Sequence, residues 1–479
     1  MEEQQERRNV GEKEGSQPSR NSGETGPEPK EHRIDIDINE ISPRVKNWIG
    51  SVKEAKERTK SQTQWPRIPR VPQILRRTQD FNKFYEPWVI SFGPYHHGKP
   101  DLHPEEMIKP LYAEQFLADS NQDIKDLYTK IGSNIKAVRD CYDSNSTKEY
   151  DDEALAWMML LDGCSLLQII RETDTSNVLA YHQRCLVKLD LFLLENQLPF
   201  GVLKLIFEGA KFNDGPSMEE KIKKFVTDTG RPTGIQLEEE NEEPSHLLDL
   251  FRSALLGRFK MIRRSQPEQE QQPEKKGKSS SRQGEDRGSC CPWKKGIWKS
   301  FRNIKELKAA GIHLQLNRTS SLRDISFNSH FFYGCLKLPP IIIDGFTKPK
   351  FLNIVAYEMC PEAPNDYAVT SYISFLYELI DHADDVKELR SNHILYNCLG
   401  SDEEVAKIFN EITNDFVNPD AYGDVKARIQ EHYDKRVNTW MAQALHDHFS
   451  TPWTIMAFIG AVLVLFLTAV QTYCALPGN

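Results

Sequence analysis

The first residues with the types and spacing for chemistry are three histidines near residue 100. His96 and His97 are adjacent in the run SFGPYHHG, and His103 follows shortly after. Neutral imidazoles bind zinc, and a neighbouring glutamate could complete a ligand set. However, adjacent side chains usually point in different directions, and no helical i, i+4 pair is present. We therefore expect these histidines to stabilise a turn built on Gly93 and Gly98, with metal binding or catalysis as the alternatives.

Glu195 and Glu358 are acidic residues inside apolar runs, where a carboxylate requires a partner. Glu195 begins the polar triplet of LLENQLPF, Asp162 precedes Cys164 in MMLLDGC, and Glu358 ends FLNIVAYE. Burial could raise the pKa of Glu195 and suit it to general acid catalysis, whereas a nucleophilic Cys164 would need a histidine base. For each of them we favour a structural role in the core.

Cys290 and Cys291 differ from the other cysteines because they lie in a polar stretch rather than in an apolar run. Lysines and tryptophans follow them in PWKKGIWK. Such a pair is a candidate for palmitoylation or for contact with an anionic membrane surface. The alternative is the end of a linker without a specific role.

Composition and motifs argue against several function classes. The net charge is -9, so a general electrostatic affinity for nucleic acid is not expected. The nine cysteines are scattered and form no C-x-x-C pair, which is typical of reduced core thiols. No phosphate-binding loop, dinucleotide fingerprint or metalloprotease motif is present. We expect neither a cofactor nor an enzymatic activity.

The elements that would position these residues are mainly helical. Helical periodicity is present at residues 105–141, 153–172, 182–209, 245–263, 348–360, 369–382 and 402–414, and from about residue 421. The run VISFGPYHHG predicts a short strand that ends in a turn. GIHLQL, LRDISF and HFFYGCLKLPPIII predict three or four further strands. The fold class is therefore mainly α, with one large helical domain and a small β element.

Polar segments divide the chain. Residues 1–64 are predicted to be disordered, residues 65–448 to form the helical domain, and residues 264–289 to be a disordered insert within it. Residues 453–473 form an apolar stretch bracketed by Trp453 and Tyr473. Its length suits a transmembrane helix, and a buried core helix is the alternative.

The orientation of this span follows from the charges that flank it. Lys435 and Arg436 precede it, and the short tail has no basic residue. This bias and the absence of an apolar signal segment predict a single-pass, tail-anchored protein with its bulk in the cytosol. In the reversed topology, Asn145 or Asn317 would be the glycosylation sites.

Several runs resemble a plant family known as domain of unknown function 247. They are IPRVPQILR, FYEPWVISFGPYHHGKPDLHPEEMIKPLY, MMLLDGCSLLQII, LDLFLLENQLPFGVL, FLNIVAYE and NCLGSDEEVAKIFN. The positions that carry the resemblance are Val71, Pro72, Tyr85, Pro87, Gly93, Pro94, Tyr95, His96, His97, Gly98, Lys109, Asp162, Gly163, Glu195, Asn196, Gln197, Pro199 and Glu358. The resemblance extends from about residue 65 to the C-terminus.

The resemblance implies a membrane-anchored plant protein of undefined biochemistry. A role in recognition or signalling is the expectation, because some grass relatives are linked to self-incompatibility. The leading hypothesis is a module that binds other proteins at a membrane. The alternative is a membrane-associated enzyme, such as a hydrolase, in which Glu195, Asp162 and His96 or His97 would meet in a deep pocket.

Overall fold

Helices dominate the computed structural model, which describes residues 42–44, 47–48, 67–172, 181–212, 215–230, 238–240, 242–260, 303–319, 321–361, 363, 366–412, 421–434 and 452–475. The α-helices are α1 (Phe81–Tyr85), α2 (His103–Glu106), α3 (Lys109–Ser120), α4 (Ile124–Ser133), α5 (Ile135–Arg139), α6 (Asp152–Arg171), α7 (Tyr181–Asp190), α8 (Phe200–Phe207), α9 (Met218–Gly230), α10 (Leu247–Leu255), α11 (Ile304–Ala309), α12 (Thr347–Glu358), α13 (Ala368–Leu379), α14 (Ala383–Ser391), α15 (Asp402–Ile412), α16 (Gly423–Asp434) and α17 (Pro452–Ala475). Short 3-10 helices lie at Leu75–Arg77 and Pro100–Leu102.

The strands are short and form three small sheets. They are β1 (Glu238–Glu240), β2 (Arg258–Lys260), β3 (Ile312–Leu316), β4 (Ser326–Ser329), β5 (Gly334–Leu338), β6 (Ile341–Ile343) and β7 (Leu395–Asn397). β1 pairs with β2 and β6 with β7, both in parallel, while β5 lies between parallel β3 and antiparallel β4. The mainly helical fold with small sheets is the predicted one.

Helix α6 is the centre of the N-terminal half of the core. The side chain of Asp151 caps its first turn by accepting a hydrogen bond from the N–H of Ala154. The helix packs against α3, α4, α5, α8 and α9, which explains why it is apolar on almost every side. It is also long and apolar enough to cross a membrane, yet 78% of its most apolar window is buried within the protein. We therefore assign it to the core.

Helix α17 contrasts with α6 in its exposure. It has 24 residues without an acidic or basic side chain. Every side chain described in it, from residue 456 to residue 472, is exposed. The stretch predicted as a helix at residues 453–473 thus lies within α17, and the part whose side chains are described is the apolar stretch Met456–Thr472.

Two predicted helices are interrupted. Residues 105–141 form α3, α4 and α5, together with the end of α2, and Asn121 adopts a left-handed conformation (φ 51°) at the first major break. The stretch predicted as one helix at residues 182–209 is divided into α7 and α8 by an irregular segment. Pro199 precedes the first residue of α8, where its fixed φ is compatible with a helix start.

The strand predicted in VISFGPYHHG is not formed. Residues 89–92 are extended or irregular and pair with no strand in the described structure. Side chains from the irregular segment after α7 accept their backbone hydrogen bonds instead, as described below. The prediction was wrong because apolar residues between turn residues indicate a buried extended segment but not its hydrogen-bond partner.

The chain divides into two compact units, Met1–Thr63 and Gln64–Asn479. All residues discussed from Ile68 onward belong to the second unit. Residues 264–289, predicted as a disordered insert, lie outside the described residues. So do Cys290 and Cys291, the candidates for lipidation.

Candidate functional site

The family-like residues form a connected set of buried polar contacts, which we call the motif network. It joins the segment of residues 68–98, of which residues 88–92 are extended or irregular, to helix α6 and to the irregular segment of residues 191–199. Its first contact is made by Asp190, which is completely buried at the end of α7. One Asp190 carboxylate oxygen accepts the N–H of Trp88, and the other accepts those of Val89 and Ile90, at 2.8–3.0 Å.

Asn196 continues the pairing of this extended segment. Its Oδ1 accepts the N–H of Phe92 at 2.6 Å, and its Nδ2 donates to the carbonyls of Ile90 and Asp190. An asparagine side chain carries a carbonyl acceptor and two N–H donors, so it can form the same hydrogen bonds as a backbone peptide group. Asn196 therefore replaces a neighbouring strand.

Gln197 stabilises the irregular segment itself. Its Nε2 donates to the carbonyls of Leu191 and Leu193, at 2.8 Å and 2.9 Å. Its Oε1 accepts the N–H of Leu248 at the start of α10. Its backbone carbonyl accepts the hydroxyl of Tyr142 at 3.0 Å. One glutamine thus satisfies buried backbone groups of two elements.

Asp162 and Lys109 form a buried ion pair between α6 and α3. Lys109 Nζ lies 2.7 Å from Asp162 Oδ1 and 2.8 Å from a carboxylate oxygen of Glu106. Asp162 Oδ2 also accepts the N–H of Gly93 at 2.8 Å, and Glu106 accepts the hydroxyl of Ser91. Burial raises the pKa of Asp162, while the Lys109 ammonium and the Gly93 N–H oppose that rise.

Glu195 is paired rather than available as a general acid. Its carboxylate accepts the N–H of Val71 at 2.7 Å and the guanidinium of Arg76, and Arg70 lies 3.9 Å away. The side chain of Glu195 is 3% exposed. Two cations and a backbone donor thus contact this buried carboxylate. The sequence favoured a structural role for Glu195, and these contacts are compatible with that prediction.

Glu358, the last residue of α12, is also a buried and paired carboxylate. Its carboxylate binds Arg252 Nε at 2.7 Å and accepts the N–H groups of Val369 and Thr370 at the start of α13. The predicted basic partner, which the sequence did not identify, is therefore Arg252 of α10. Five residues before the end of α12, Asn353 ties this helix to the irregular segment by accepting the N–H of Leu194 at 2.8 Å.

The three histidines do not form a metal site in this structure. His96 is buried and His97 and His103 are exposed, and His97 packs edge-on against Tyr150. Among the residues described here, no group of three or more His, Cys, Asp or Glu is placed to hold a metal ion. The turn that carries His96 and His97 begins and ends at glycines with positive φ, Gly93 (74°) and Gly98 (76°).

His96 is the least satisfied member of the turn. Both of its ring nitrogens are buried without a hydrogen-bond partner. Burial, assisted by the charges of Lys99, Arg70 and Arg76, lowers the pKa of His96 to about 3. The ring is therefore neutral at physiological pH.

The remaining family-like positions pack the network. Tyr95 donates to the carbonyl of Ile68 at 2.6 Å and stacks edge-on against Tyr142. Tyr85, Pro94 and Pro199 are buried, and Pro87 is half-buried. Pro72 accepts the N–H of Leu75 through its carbonyl and so begins the first 3-10 helix.

Gly163 of α6 faces Ile206 at a distance that leaves no room for a Cβ atom. Cys164 is buried, which raises its pKa to about 12, as suits an unreactive thiol.

Two cavities open away from this network. One, of about 420 Å³, lies beside α8 and is lined by both polar and apolar residues, among them Arg67, Cys141, Pro199 and Lys204. The other, of about 550 Å³, lies between α6, α7, α9 and the turn before α12. Neither is lined by Glu195, Asp162 or His96. The geometry proposed for a hydrolase is therefore not formed in these two cavities.

Sequence reasoning missed several partners of the motif residues. Asp190, Asn353 and Arg252 complete the polar contacts, but each lies far in sequence from the group that it satisfies. A signal was present for Asp190, because it is an acidic residue within the apolar run VKLDLFLL. The basic lining of the larger cavity was missed as well, because its members come from four separate segments.

Comparisons with known proteins agree on the family. A profile described as DUF247, plant protein of unknown function, matches residues 68–467. The chain is 29% identical over 412 residues to the UPF0481 protein At3g47200 of Arabidopsis thaliana, covering 82% of this chain and 83% of that protein. It is 22% identical over 466 residues to the putative UPF0481 protein At3g02645 of the same plant, covering 81% and 86%. No solved structure matches the chain.

Proposed function

The chain belongs to the DUF247 family of plant proteins of unknown function, and from this premise we propose that it is a membrane-anchored module that binds other proteins. The proposal has two parts, the anchor and the binding surface. The anchor is helix α17, and the bulk of the chain lies in the cytosol. The observation that carries the proposal is the exposure of this uncharged helix.

The dimensions and surface of α17 suit a single membrane span. A helix of 24 residues is about 36 Å long, whereas the hydrocarbon core of a bilayer is about 30 Å thick. Large apolar side chains such as Leu465, Phe466 and Val464 are 63–70% exposed. Exposed apolar surface of this extent is unfavourable in water and favourable in lipid. These features support an anchor.

The use of the motif residues supports binding rather than catalysis. Glu195, Asp162 and Glu358 are each held by a cation and by backbone N–H groups, so their charges are already satisfied. Such contacts make a rigid scaffold and use these three carboxylates within the protein rather than at a substrate. We infer that these residues hold the domain in one conformation.

Exposed aromatic side chains offer a surface for a partner. The turn between β4 and β5 presents Phe331, Phe332 and Tyr333, which are 74%, 55% and 43% exposed. Trp88 and Met107, beside the SFGPYHHG motif, are 51% and 71% exposed. Aromatic residues and methionine are enriched at protein interfaces, where they contribute much of the contact area. The turn at residues 330–333 is the surface that we assign to partner binding.

Protease protection in sealed microsomes tests the topology. The full-length protein should lose its large domain to protease and retain a short protected fragment that contains α17. Asn145, which is exposed, should carry no glycan, whereas an acceptor sequence fused after residue 479 should be glycosylated. A protected domain with glycan on Asn145 would place it on the opposite side, and release by alkaline carbonate would show that α17 does not span the bilayer.

A further inference from the structure

The larger cavity concentrates positive charge in a protein that is acidic as a whole. Its volume is about 550 Å³, within the range of small-molecule sites. Five basic side chains line it, against two carboxylates. The basic residues are Arg171, Lys188, Lys221, Lys224 and Lys350, and the acidic ones are Asp228 and Asp344. The net charge of the whole chain is -9, so this local excess of cations opposes the overall balance.

Three of these five basic side chains form no ion pair with any residue that the structure describes. Lys350 binds Asp344 at 3.1 Å, and Arg171 approaches Asp119 at 3.5 Å. Lys188 and Lys224, by contrast, form no ion pair with any residue that the structure describes. Lys221 donates to the backbone carbonyl of Arg171 at 3.3 Å, a contact that leaves its charge uncompensated.

Two further observations describe the surroundings of Arg171 and Lys221. The Nε of Arg171 is buried without a hydrogen-bond partner, although the guanidinium lies 3.7 Å over the ring of Phe212. The pKa of Lys221 is lowered by burial and by the neighbouring charges of Arg171 and Lys224. An anion bound among Arg171, Lys221 and Lys224 would offset the repulsion between their positive charges.

The lining also has an apolar side. Leu189, Phe225 and Phe346 contribute to the walls beside the lysines. A small inorganic ion would leave this surface and much of the volume unused. Several lysines spread around one cavity suit an anion with more than one charged group, because each ammonium acts as a point charge for a separate phosphate.

From this geometry we propose that the cavity between α6, α7, α9 and the turn before α12 binds a multiply phosphorylated small molecule. Arg171, Lys188, Lys221 and Lys224 bind its phosphate groups, and Phe225 covers its carbon skeleton. The same chemistry is present in a soluble inositol phosphate and in the headgroup of a phosphoinositide lipid. The proposal stands independently of the anchor and of the aromatic turn.

The test measures binding to the full-length protein in neutral phosphatidylcholine nanodiscs. The probe for the soluble source is inositol hexakisphosphate, followed by titration calorimetry. The probe for the lipid source is co-sedimentation with vesicles of phosphatidylcholine and phosphatidylinositol bisphosphate. The test variant is Lys188→Gln/Lys224→Gln, and the control is Lys125→Gln/Lys136→Gln, whose two lysines are exposed and lie outside the cavity.

Saturable binding should weaken by about a hundredfold in the test variant, about tenfold for each cation removed, and remain near the unaltered value in the control. The probe that shows this dependence identifies the source. Equal losses in both variants would reduce the effect to general charge attraction and overturn the proposal. Absence of saturable binding to both probes would also overturn it. Unchanged circular dichroism of both variants shows that folding is intact.

Discussion

Asp190 illustrates how single side chains replace regular backbone pairing in this protein. Its carboxylate accepts three consecutive backbone N–H groups, of Trp88, Val89 and Ile90. A buried N–H group without a partner costs roughly 1–3 kcal/mol, so the extended segment depends on this one residue. Asn196 does the same for Phe92. The motif residues are thus best understood as partners for a backbone segment that has no neighbouring strand.

At the same scale, the Lys109–Asp162 ion pair should make a large contribution to the free energy of unfolding. In Lys109→Met, the carboxylate of Asp162 stays buried without its cation, and we expect a loss of about 3–5 kcal/mol in the free energy of unfolding. Urea denaturation of the full-length protein in micelles measures it. The control is Lys308→Met, whose lysine is 58% exposed beside Glu388 and should cost only about 0–1 kcal/mol. Equal effects of both variants would contradict this account.

His96 should make the stability depend on pH. Because burial lowers its pKa from 6.5 to about 3 in the folded protein, the unfolded chain binds the extra proton between these values. Stability is therefore fully present above pH 6.5 and falls as the pH drops towards 3, by up to about 1.4 kcal/mol per pH unit.

The variant His96→Leu tests this dependence. It removes the titrating group and two unpartnered nitrogens, so its unfolding free energy should fall less steeply between pH 6.5 and about 4.5. Denaturation curves at several pH values give the slope. The control His97→Leu, altered at an exposed position, should keep the slope of the unaltered protein. Parallel slopes for His96→Leu and the unaltered protein would rule out His96 as the cause.

At the scale of elements, the hydrophobic periodicity of the sequence predicted the positions of regular helices better than those of irregular segments. Helix α6 was expected at residues 153–172 and lies at Asp152–Arg171. The runs predicted as strands after the insert overlap β3, β4, β5 and β6, although β4 begins only at the last two residues of LRDISF. The helix expected at residues 182–209 was wrong in its middle, because LFLLENQLP has apolar residues at helical spacing. There Asn196 and Gln197 bind backbone carbonyls of their own segment, which stabilises an irregular conformation.

The candidate sites were predictable only in part, for a related reason. The sequence indicated that Glu195 and Glu358 would be buried and paired, since carboxylates in apolar runs require partners. It could not identify Arg76 or Arg252 as those partners, or Lys109 as the partner of Asp162, because such contacts depend on tertiary packing between elements distant in sequence. The basic cavity could not be predicted either, because its lysines and arginine come from separate segments of the chain.

Close packing between α6 and α8 leads to a prediction for Gly163. A Cβ atom at this position would lie 2.4 Å from Cδ1 of Ile206. The variant Gly163→Ala should therefore lower the melting temperature, with a cost of about 1–3 kcal/mol from overpacking. Adding Ile206→Val, which removes that methyl group, should restore part of the loss.

The matched control for this contact is Gly132→Ala in α4. Nothing lies within 4 Å of its Cβ position, so alanine should stabilise the helix by roughly 0.5–1 kcal/mol through its higher helix propensity. Calorimetric melting of these three variants and of the unaltered protein gives the comparison. A destabilising Gly163→Ala that Ile206→Val does not rescue would show that the clash with Ile206 is not the cause.

At the scale of the whole molecule, the charges and the apolar surface are distributed unevenly. The acidic chain gathers cations around one cavity, and many of its exposed large apolar residues lie in α17 and in the turn at residues 330–333. That turn is adjacent to α16, since Ser329 at the end of β4 lies 2.8 Å from Nδ1 of His432. The aromatic surface therefore lies near α16, the last helix that the structure describes before α17.

Deletion of residues 452–479 should separate membrane attachment from folding. The described side chains of α17 are all exposed, so the shortened protein should keep the melting temperature of the full-length chain while moving from the membrane pellet to the supernatant. Replacing α17 by an unrelated Leu/Ala helix of the same length should restore sedimentation, because a span depends on length and apolarity rather than on sequence. If the shortened protein unfolds, α17 contributes to the core instead, and if it still sediments, attachment resides elsewhere in the chain.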